Sequence, residues 1–135
     1  MGIIHASIYN MTIPNLVYIY TTRGELEAYL AFPYIYNRLG EWIGWVTAER
    51  LVYSVYGLYV GYFSKDNRIL RKQADSFGEN PRKPPPTRPG RITIPAHAPL
   101  APLMAELPFG VIDVLQDEPD LLSPLDFGEG REDMD

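Results

Sequence analysis

Few side chains in this sequence have the types and spacing that chemistry requires. The only histidines, His5 and His97, lie far apart in the chain, and neither has a partner at metal-ligand spacing. The chain has no cysteine, so it has no thiolate nucleophile, disulfide or cysteine zinc site. It also lacks the phosphate-loop, dinucleotide-binding and G-x-S-x-G motifs. We therefore expect no metal site, no cofactor and no catalytic residue, and we predict a non-enzymatic protein.

Two carboxylates, Glu25 and Glu41, occupy the same position after a glycine in two similar segments. Paired carboxylates can perform acid–base catalysis. Carboxylates beside a turn are normally solvated, however, and the sequence favours that interpretation.

Basic residues follow an aromatic-rich region: Lys65, Arg68, Arg71, Lys72, Arg82, Lys83, Arg88 and Arg91. Aromatic rings interleaved with Lys and Arg suit single-stranded nucleic acid. The net charge of −5 and the acidic C-terminal region oppose this interpretation. Aromatic repeats also bind sugars or choline in exported proteins, but no export signal is visible at the N-terminus. The sequence disfavours a nucleic-acid partner and favours packing as the role of the rings.

Composition divides the 135 residues into regions with different physical character. All tyrosines and tryptophans lie between Tyr9 and Tyr62, a basic and Pro-rich segment follows, and the C-terminal end is acidic. No apolar run reaches the roughly 18 residues that a membrane-spanning helix needs. We expect one domain with a tail, no membrane segment and a cytoplasmic location.

One pattern recurs three times between residues 20 and 63: YTTRGELEAYL, YNRLGEWIGWV and YSVYGLYVGYF. Each copy has a Tyr, a Gly, a small residue, an aromatic residue and an apolar residue in register. The first glycines are Gly24, Gly40 and Gly57, and the aromatic column holds Tyr29, Trp45 and Tyr62. Five matching columns predict a repeated structural unit.

Each copy predicts a β-hairpin, with the first glycine closing the turn in a left-handed conformation. The second glycine, Gly44 or Gly61, either leaves room for a neighbouring ring or marks a β-bulge. A decayed fourth copy begins at Ile69, with Ala74 in the turn position and Gly78 in the small column. Its first half predicts a further strand near residues 68–71.

The repeat, followed by an Arg/Pro-rich arm, resembles the family of four-fold β-flower proteins. The resemblance covers residues 17–72 and continues through RPGRITIPAHAPLAPLMAELPFGVIDVL. It implies a small all-β domain with pseudo-four-fold symmetry. It implies no catalytic residues, because no activity is assigned to that family.

Residues 81–104 are Pro-rich and suit the polyproline II conformation. They can form a semi-rigid disordered linker, an arm that docks on aromatic residues of its own or a neighbouring subunit, or a ligand for an SH3-like domain. Residues 105–117 regain apolar character. The segment LMAEL predicts a helical turn near residues 103–107, and FGVIDVL predicts a strand. The acidic residues 118–135 are predicted to be disordered.

These observations predict an all-β fold of four hairpin-like repeats with pseudo-four-fold symmetry, followed by an extended Pro-rich arm. The predicted boundaries are an N-terminal extension at 1–16, a β-repeat domain at 17–80, the arm at 81–104, a short ordered segment at 105–117 and the tail at 118–135. The predicted function is a structural or protein-interaction module. The alternative is a ligand-binding module that uses exposed Tyr29, Trp45 and Tyr62 for a sugar or single-stranded nucleic acid; buried rings would favour the first.

Self-association is predicted from the size of the repeat domain. A domain of about 60 residues buries too little surface to be more than marginally stable alone. The arm ends in the apolar segment FGVIDVL, which suits contact with another subunit. We therefore expect a homo-oligomer, with a dimer favoured, in which residues 81–115 are ordered by the repeat domain of another copy.

Overall fold

The computed structural model describes residues 16–75 and 81–125. Within them, eight strands form one curled antiparallel sheet in which each strand pairs with the next along the chain. The strands are β1 (Val17–Tyr20), β2 (Leu26–Ala31), β3 (Tyr34–Asn37), β4 (Trp42–Val46), β5 (Leu51–Ser54), β6 (Tyr59–Phe63), β7 (Ile69–Lys72) and β8 (Val111–Asp113). A short helix α1 (Val114–Asp117) and a 3-10 turn (Pro119–Leu121) follow. The all-β prediction is confirmed.

The pairs β1–β2, β3–β4 and β5–β6 are hairpins with the same register. In each, the residue before the repeat tyrosine faces the small residue of the next strand, giving the pairs Ile19–Ala28, Ile35–Gly44 and Val52–Gly61. The register then shifts at the tyrosine in all three. The matching columns of the sequence therefore occupy matching places in the hairpins. Their relation by a quarter turn stays a prediction.

The register shift helps to decide between the two interpretations of the second glycine of the repeat, Gly44. The shift lies beside it, as the bulge interpretation requires. The position is also crowded: a Cβ atom there would lie 2.7 Å from the carbonyl oxygen of Tyr53 and 2.8 Å from Cδ2 of Leu122. Both interpretations therefore hold in part, although the close neighbours are backbone and a leucine rather than an aromatic ring.

The fourth hairpin is discontinuous in sequence. Its first strand is β7, as predicted, but its second strand is β8, which pairs Leu70 with Asp113 and Lys72 with Val111. The chain reaches β8 only after the whole arm. Gly78 lies outside the described residues. The repeat domain therefore includes residues beyond its predicted boundary at 80.

The helical turn predicted at residues 103–107 is wrong, since these residues have no helical structure. Pro108 disfavours the helical conformation of the residue before it, and the Ala105 carbonyl instead accepts a hydrogen bond from Arg68. The helix begins at Val114, where Asp113 is the N-cap and accepts from the Gln116 amide. The strand predicted for FGVIDVL is confined to Val111–Asp113.

Order extends further into the acidic region than predicted. Disorder was expected from residue 118, which is wrong for residues 118–125. Leu122 is buried in an aliphatic cluster and Leu125 packs on an aromatic one. These leucines bury enough apolar surface to hold the segment on the sheet. Residues 126–135 lie outside the described part of the chain.

Two clusters form the core, because neighbouring residues of a strand point to opposite faces of the sheet. The aliphatic cluster contains Ile19, Ala28, Leu30, Ile35, Ile43, Val46, Val52, Val60, Phe63, Ile69, Val114, Leu115 and Leu122. The aromatic cluster contains Tyr36, Trp42, Trp45, Tyr53, Val55 and Tyr59, with Ile92 of the arm against it. The arm therefore contributes to packing in the core.

Candidate functional site

Three glycine turns at one end of the sheet form a row that we call the turn edge: residues 21–24, 37–40 and 54–57. In each turn the glycine amide donates to the carbonyl of the first residue, at 2.8 to 3.0 Å. The first residue is Thr21, Asn37 or Ser54, and its side-chain oxygen accepts from the amide that follows the glycine. One local bonding pattern thus builds all three turns.

The same turn occurs without glycine at the opposite end, which we call the mouth end. Residues 47–50 and 64–67 repeat the bonding, with Thr47 and Ser64 as first residues. Arg50 and Asn67 take the left-handed position, with φ of 71° and 65°. A side chain is therefore compatible with this turn, although left-handed backbone is unfavourable for an Arg.

The arm lies along the turn edge and meets the turns in reverse order. The Lys83 amide donates to the Gly57 carbonyl and the Ile92 amide to the Gly40 carbonyl, both at 3.0 Å. Ala101 faces the remaining turn: a Cβ at Gly24 would lie 3.6 Å from its Cβ. The contacting residues 83, 92 and 101 are spaced by nine (92 − 83 and 101 − 92). An extended chain with a nine-residue register therefore spans the three hairpins.

This contact explains why glycine closes two of the three turns at this end. Gly40 has φ of 81°, which glycine adopts without penalty. A Cβ atom at Gly40 would also lie 2.1 Å from the carbonyl oxygen of Ile92. Gly57 is similar, with the Lys83 carbonyl oxygen 2.4 Å from the place of a Cβ. The arm backbone occupies the space that a side chain would need.

Side chains hold the arm between these points. The hydroxyl of Tyr20 donates to the Pro99 carbonyl, and that of Tyr34 to the Thr87 carbonyl. From the arm, Arg91 Nη2 donates to the Leu39 carbonyl at 2.8 Å and Arg82 Nη1 to the Tyr56 carbonyl at 3.3 Å. The free-linker interpretation is therefore wrong. The arm contacts its own repeat domain, whereas contact with another copy was predicted.

A group of buried hydrogen bonds, which we call the clasp, joins the segment after the arm to the first and last strands of the sheet. Arg68, which is 3 % exposed, donates to both carboxylate oxygens of Asp66, to Thr22 Oγ1 and to the Ala105 carbonyl. Thr22 in turn donates from its amide and its hydroxyl to Asp113 Oδ2, both at 2.7 Å. The clasp therefore links the ends of β1 and β8 with the start of β7.

The clasp has a defined pH dependence. Hydrogen bonds from Arg68 lower the pKa of the Asp66 carboxyl below its ordinary value. A lowered folded-state pKa stabilises the fold at pH above the unfolded value of about 3.9. That contribution is lost as the pH falls through the folded pKa.

The predicted aromatic contact surface does not form an exposed shelf. Tyr29 is 3 % and Trp45 is 8 % exposed, and Tyr62 is half-buried. Trp45 stacks on Tyr53 with ring centroids 5.1 Å apart. Burial also raises the pKa of Tyr29 and Tyr53 above the ordinary phenol value. These rings pack, which favours the structural interpretation over a stacking surface for sugars or bases.

The predicted basic cluster is not one surface. Arg68 belongs to the clasp, and Arg71 is buried in an ion pair with Glu118 at 2.8 Å. Arg82 and Arg91 bind turn carbonyls. Four of the eight positive charges are therefore engaged in separate structural contacts.

The remaining candidates are dispersed. Glu25 is exposed, while Glu41 accepts a hydrogen bond from Asn37 at 2.9 Å. His97 is exposed on the arm, and His5 lies outside the described residues. Among residues 16–75 and 81–125, no three acidic or His side chains are grouped so that they could hold a metal ion.

Three features of the site were not predicted. Lys83, Ile92 and Ala101 carry no sequence signal other than their nine-residue spacing. Thr47 and Ser64 do carry one: Thr, Asn or Ser stands three residues before every left-handed turn residue from Gly24 to Asn67. Asp113 is a typical N-cap residue before an apolar pair. This signal was missed because the whole segment FGVIDVL was predicted to be a strand.

The longest α-helix in the described part of the chain has four residues, and none there could cross a membrane. Comparison with protein-family models, curated proteins and solved structures finds no match to this chain.

Proposed function

We propose that this chain is a non-enzymatic structural or protein-interaction module that self-associates through its C-terminal arm. The observation that carries the proposal is the exposure of large apolar side chains on the docked arm and on the segment that follows it. Leu100, Leu103 and Phe109 are 94 %, 99 % and 104 % exposed. Apolar side chains concentrated on one exposed segment are typical of a protein–protein contact surface.

The mode of docking supports exchange of the arm between copies. Six of the hydrogen bonds between the arm and the hairpins, within the described residues, are accepted by backbone carbonyls. The hairpins of a second copy offer the same turn carbonyls and the same tyrosine hydroxyls in the same positions. Exchange of an identical segment is a low-cost route to a dimer, and β8 would travel with the arm to complete the partner's fourth hairpin. A dimer is the simplest assembly of this kind.

The buried aromatic rings support a packing role for the repeat. As part of the same proposal, we place the chain with the four-fold β-flower proteins, on the shared hairpin pattern and the arm that follows it. A cytoplasmic location is part of the same proposal, because a chain without cysteine suits a reducing compartment.

The test is the mass of the full chain in solution, measured by light scattering over a wide range of concentrations. We expect a dimer that dissociates on dilution. The variant Leu100→Ser/Leu103→Ser/Phe109→Ser should be a folded monomer, because exposed positions contribute little to stability. Phe32→Ser is the matched control, since Phe32 is 64 % exposed but lies at the mouth end; it should remain dimeric. A wild type that is monomeric throughout, or a triple variant of unchanged mass, would refute the proposal.

A further inference from the structure

The mouth end contains a cup with an apolar floor. Its volume is about 490 Å³, within the range of about 300 to 1,000 Å³ typical of small-molecule sites. Leu30, Val46 and Phe63 form the floor, and Phe32 forms part of the wall. The three floor residues hold the same column of the repeat and belong to the aliphatic cluster. The cup therefore opens directly onto the apolar core.

Two cations and no anion line this cup. Arg50 and Lys65 are among its ten lining residues, and none of the ten is Asp or Glu. An apolar floor under a positive rim is complementary to a molecule with an apolar body and a negative head. The N-terminal segment of this chain is apolar, but residues 1–16 contain no acidic group and cannot supply that charge.

Arg50 lines the cup, and its backbone has a left-handed conformation that is unfavourable for a residue with a side chain. It holds the left-handed position that glycine fills in the three turns of the opposite end. Nε donates to the Phe63 carbonyl at 2.9 Å and Nη2 to the Ser64 carbonyl at 2.7 Å. Its guanidinium carbon lies 5.0 Å from the Phe63 ring centroid. A strained residue with a fixed side chain is a reason to look for function.

The guanidinium of Arg50, which lines the cup, retains capacity for a further hydrogen bond. Nη1 has no hydrogen-bond acceptor among residues 16–75 and 81–125. A carboxylate is the acceptor that a guanidinium binds with the best geometry. Lys65 adds a second positive charge on the neighbouring turn.

We propose that the mouth-end cup binds a small amphiphilic carboxylate, with its aliphatic body on Leu30, Val46 and Phe63 and its carboxylate on Arg50 and Lys65. This site is distinct from the self-association surface, because none of the residues that line the cup belongs to the arm.

The test uses octanoate as the probe and 1-octanol as its uncharged match, with the full chain in titration calorimetry and thermal melting. Octanoate should bind saturably and raise the Tm, whereas octanol should bind at least about tenfold more weakly, the loss expected for a hydrogen bond to a charged group. Absence of saturable octanoate binding, or equal binding of octanol, would overturn the proposal.

Variants locate the contact. Arg50→Gly places at this position the residue found in the three turns of the turn edge. It should weaken octanoate binding by about tenfold, and Lys65→Gln should also weaken it. Arg38→Gln removes an exposed cation at the turn edge and should leave binding unchanged. Circular dichroism checks that each variant is folded. If folded Arg50→Gly and Lys65→Gln bind octanoate as the wild type does, the assignment of the site is wrong.

Discussion

Replacing Gly40 with alanine is expected to lower the free energy of unfolding by about 3 kcal/mol. Two effects combine at this position. An alanine at φ of 81° carries a backbone cost of about 1 to 2 kcal/mol. Its Cβ would also lie 2.1 Å from the Ile92 carbonyl oxygen, so the arm must leave the turn and lose the hydrogen bond between the Ile92 amide and the Gly40 carbonyl. Chemical denaturation with fluorescence of the buried tryptophans measures the change.

Gly110→Ala separates the two effects. Gly110 has the same φ of 81°, but nothing lies within 4 Å of an added Cβ. Its alanine variant should therefore show only the backbone cost, about 1 to 2 kcal/mol. Hydrogen exchange near Ile92 should increase in Gly40→Ala and remain unchanged in Gly110→Ala. Equal destabilisation by the two variants would mean that the arm carbonyl does not occupy the place of the Gly40 side chain.

Replacing Asp113 with alanine is expected to lower the free energy of unfolding by about 3 kcal/mol. The Asp113 carboxylate is 1 % exposed and accepts from the Thr22 amide, the Thr22 hydroxyl and the Gln116 amide. Its loss removes the N-cap of α1 and leaves donors in the clasp without an acceptor. It also disconnects the ends of β1 and β8, the first and last strands of the sheet.

Asp117→Ala is the matched control, because Asp117 lies on the same helix but is exposed. The Asp117→Ala variant should change the free energy of unfolding by no more than about 0.5 kcal/mol. In Asp113→Ala, amide exchange should increase at Val111–Asp113 before the other strands. A variant that loses less stability than the control, or that keeps β8 protected, would show that the clasp does not hold the last strand.

Much of the fold was predictable because the repeat columns are local signals. Hairpin turns depend on residues such as Asn37 and Gly40, which lie three positions apart, and strand alternation depends on nearest neighbours. β8 was not predictable as the partner of β7, because nothing in a three-residue strand specifies a partner beyond a long arm. The helical turn at 103–107 was wrongly predicted because a tertiary contact, from Arg68 to the Ala105 carbonyl, overrides a weak local propensity.

The candidate sites were likewise predictable where local sequence patterns decide, and not where contacts between distant residues decide. The turn glycines were identified from their spacing, but only the structure explains why Gly40 cannot carry a side chain while the equivalent turn tolerates Arg50. The rings of Tyr29 and Trp45 were identified as a repeated column, yet their burial depends on packing partners contributed by other strands, such as Tyr53. Sequence spacing locates positions, and three-dimensional contacts determine their roles.

The docking of the arm on the turn edge is tested most directly by a disulfide between Gly24→Cys and Ala101→Cys. A Cβ at position 24 would lie 3.6 Å from the Ala101 Cβ, within the range of about 3.5 to 4.5 Å found in disulfides, and the chain has no other cysteine. Gly24→Cys/Gly90→Cys is the control, since an added Cβ at Gly90 has no atom within 4 Å.

We predict rapid oxidation of the Gly24→Cys/Ala101→Cys variant: a link within one chain in dilute solution, and covalent dimers after refolding at high concentration, read by mass on non-reducing gels. A disulfide that forms no faster than in the control would contradict the docking of the arm on the turn edge.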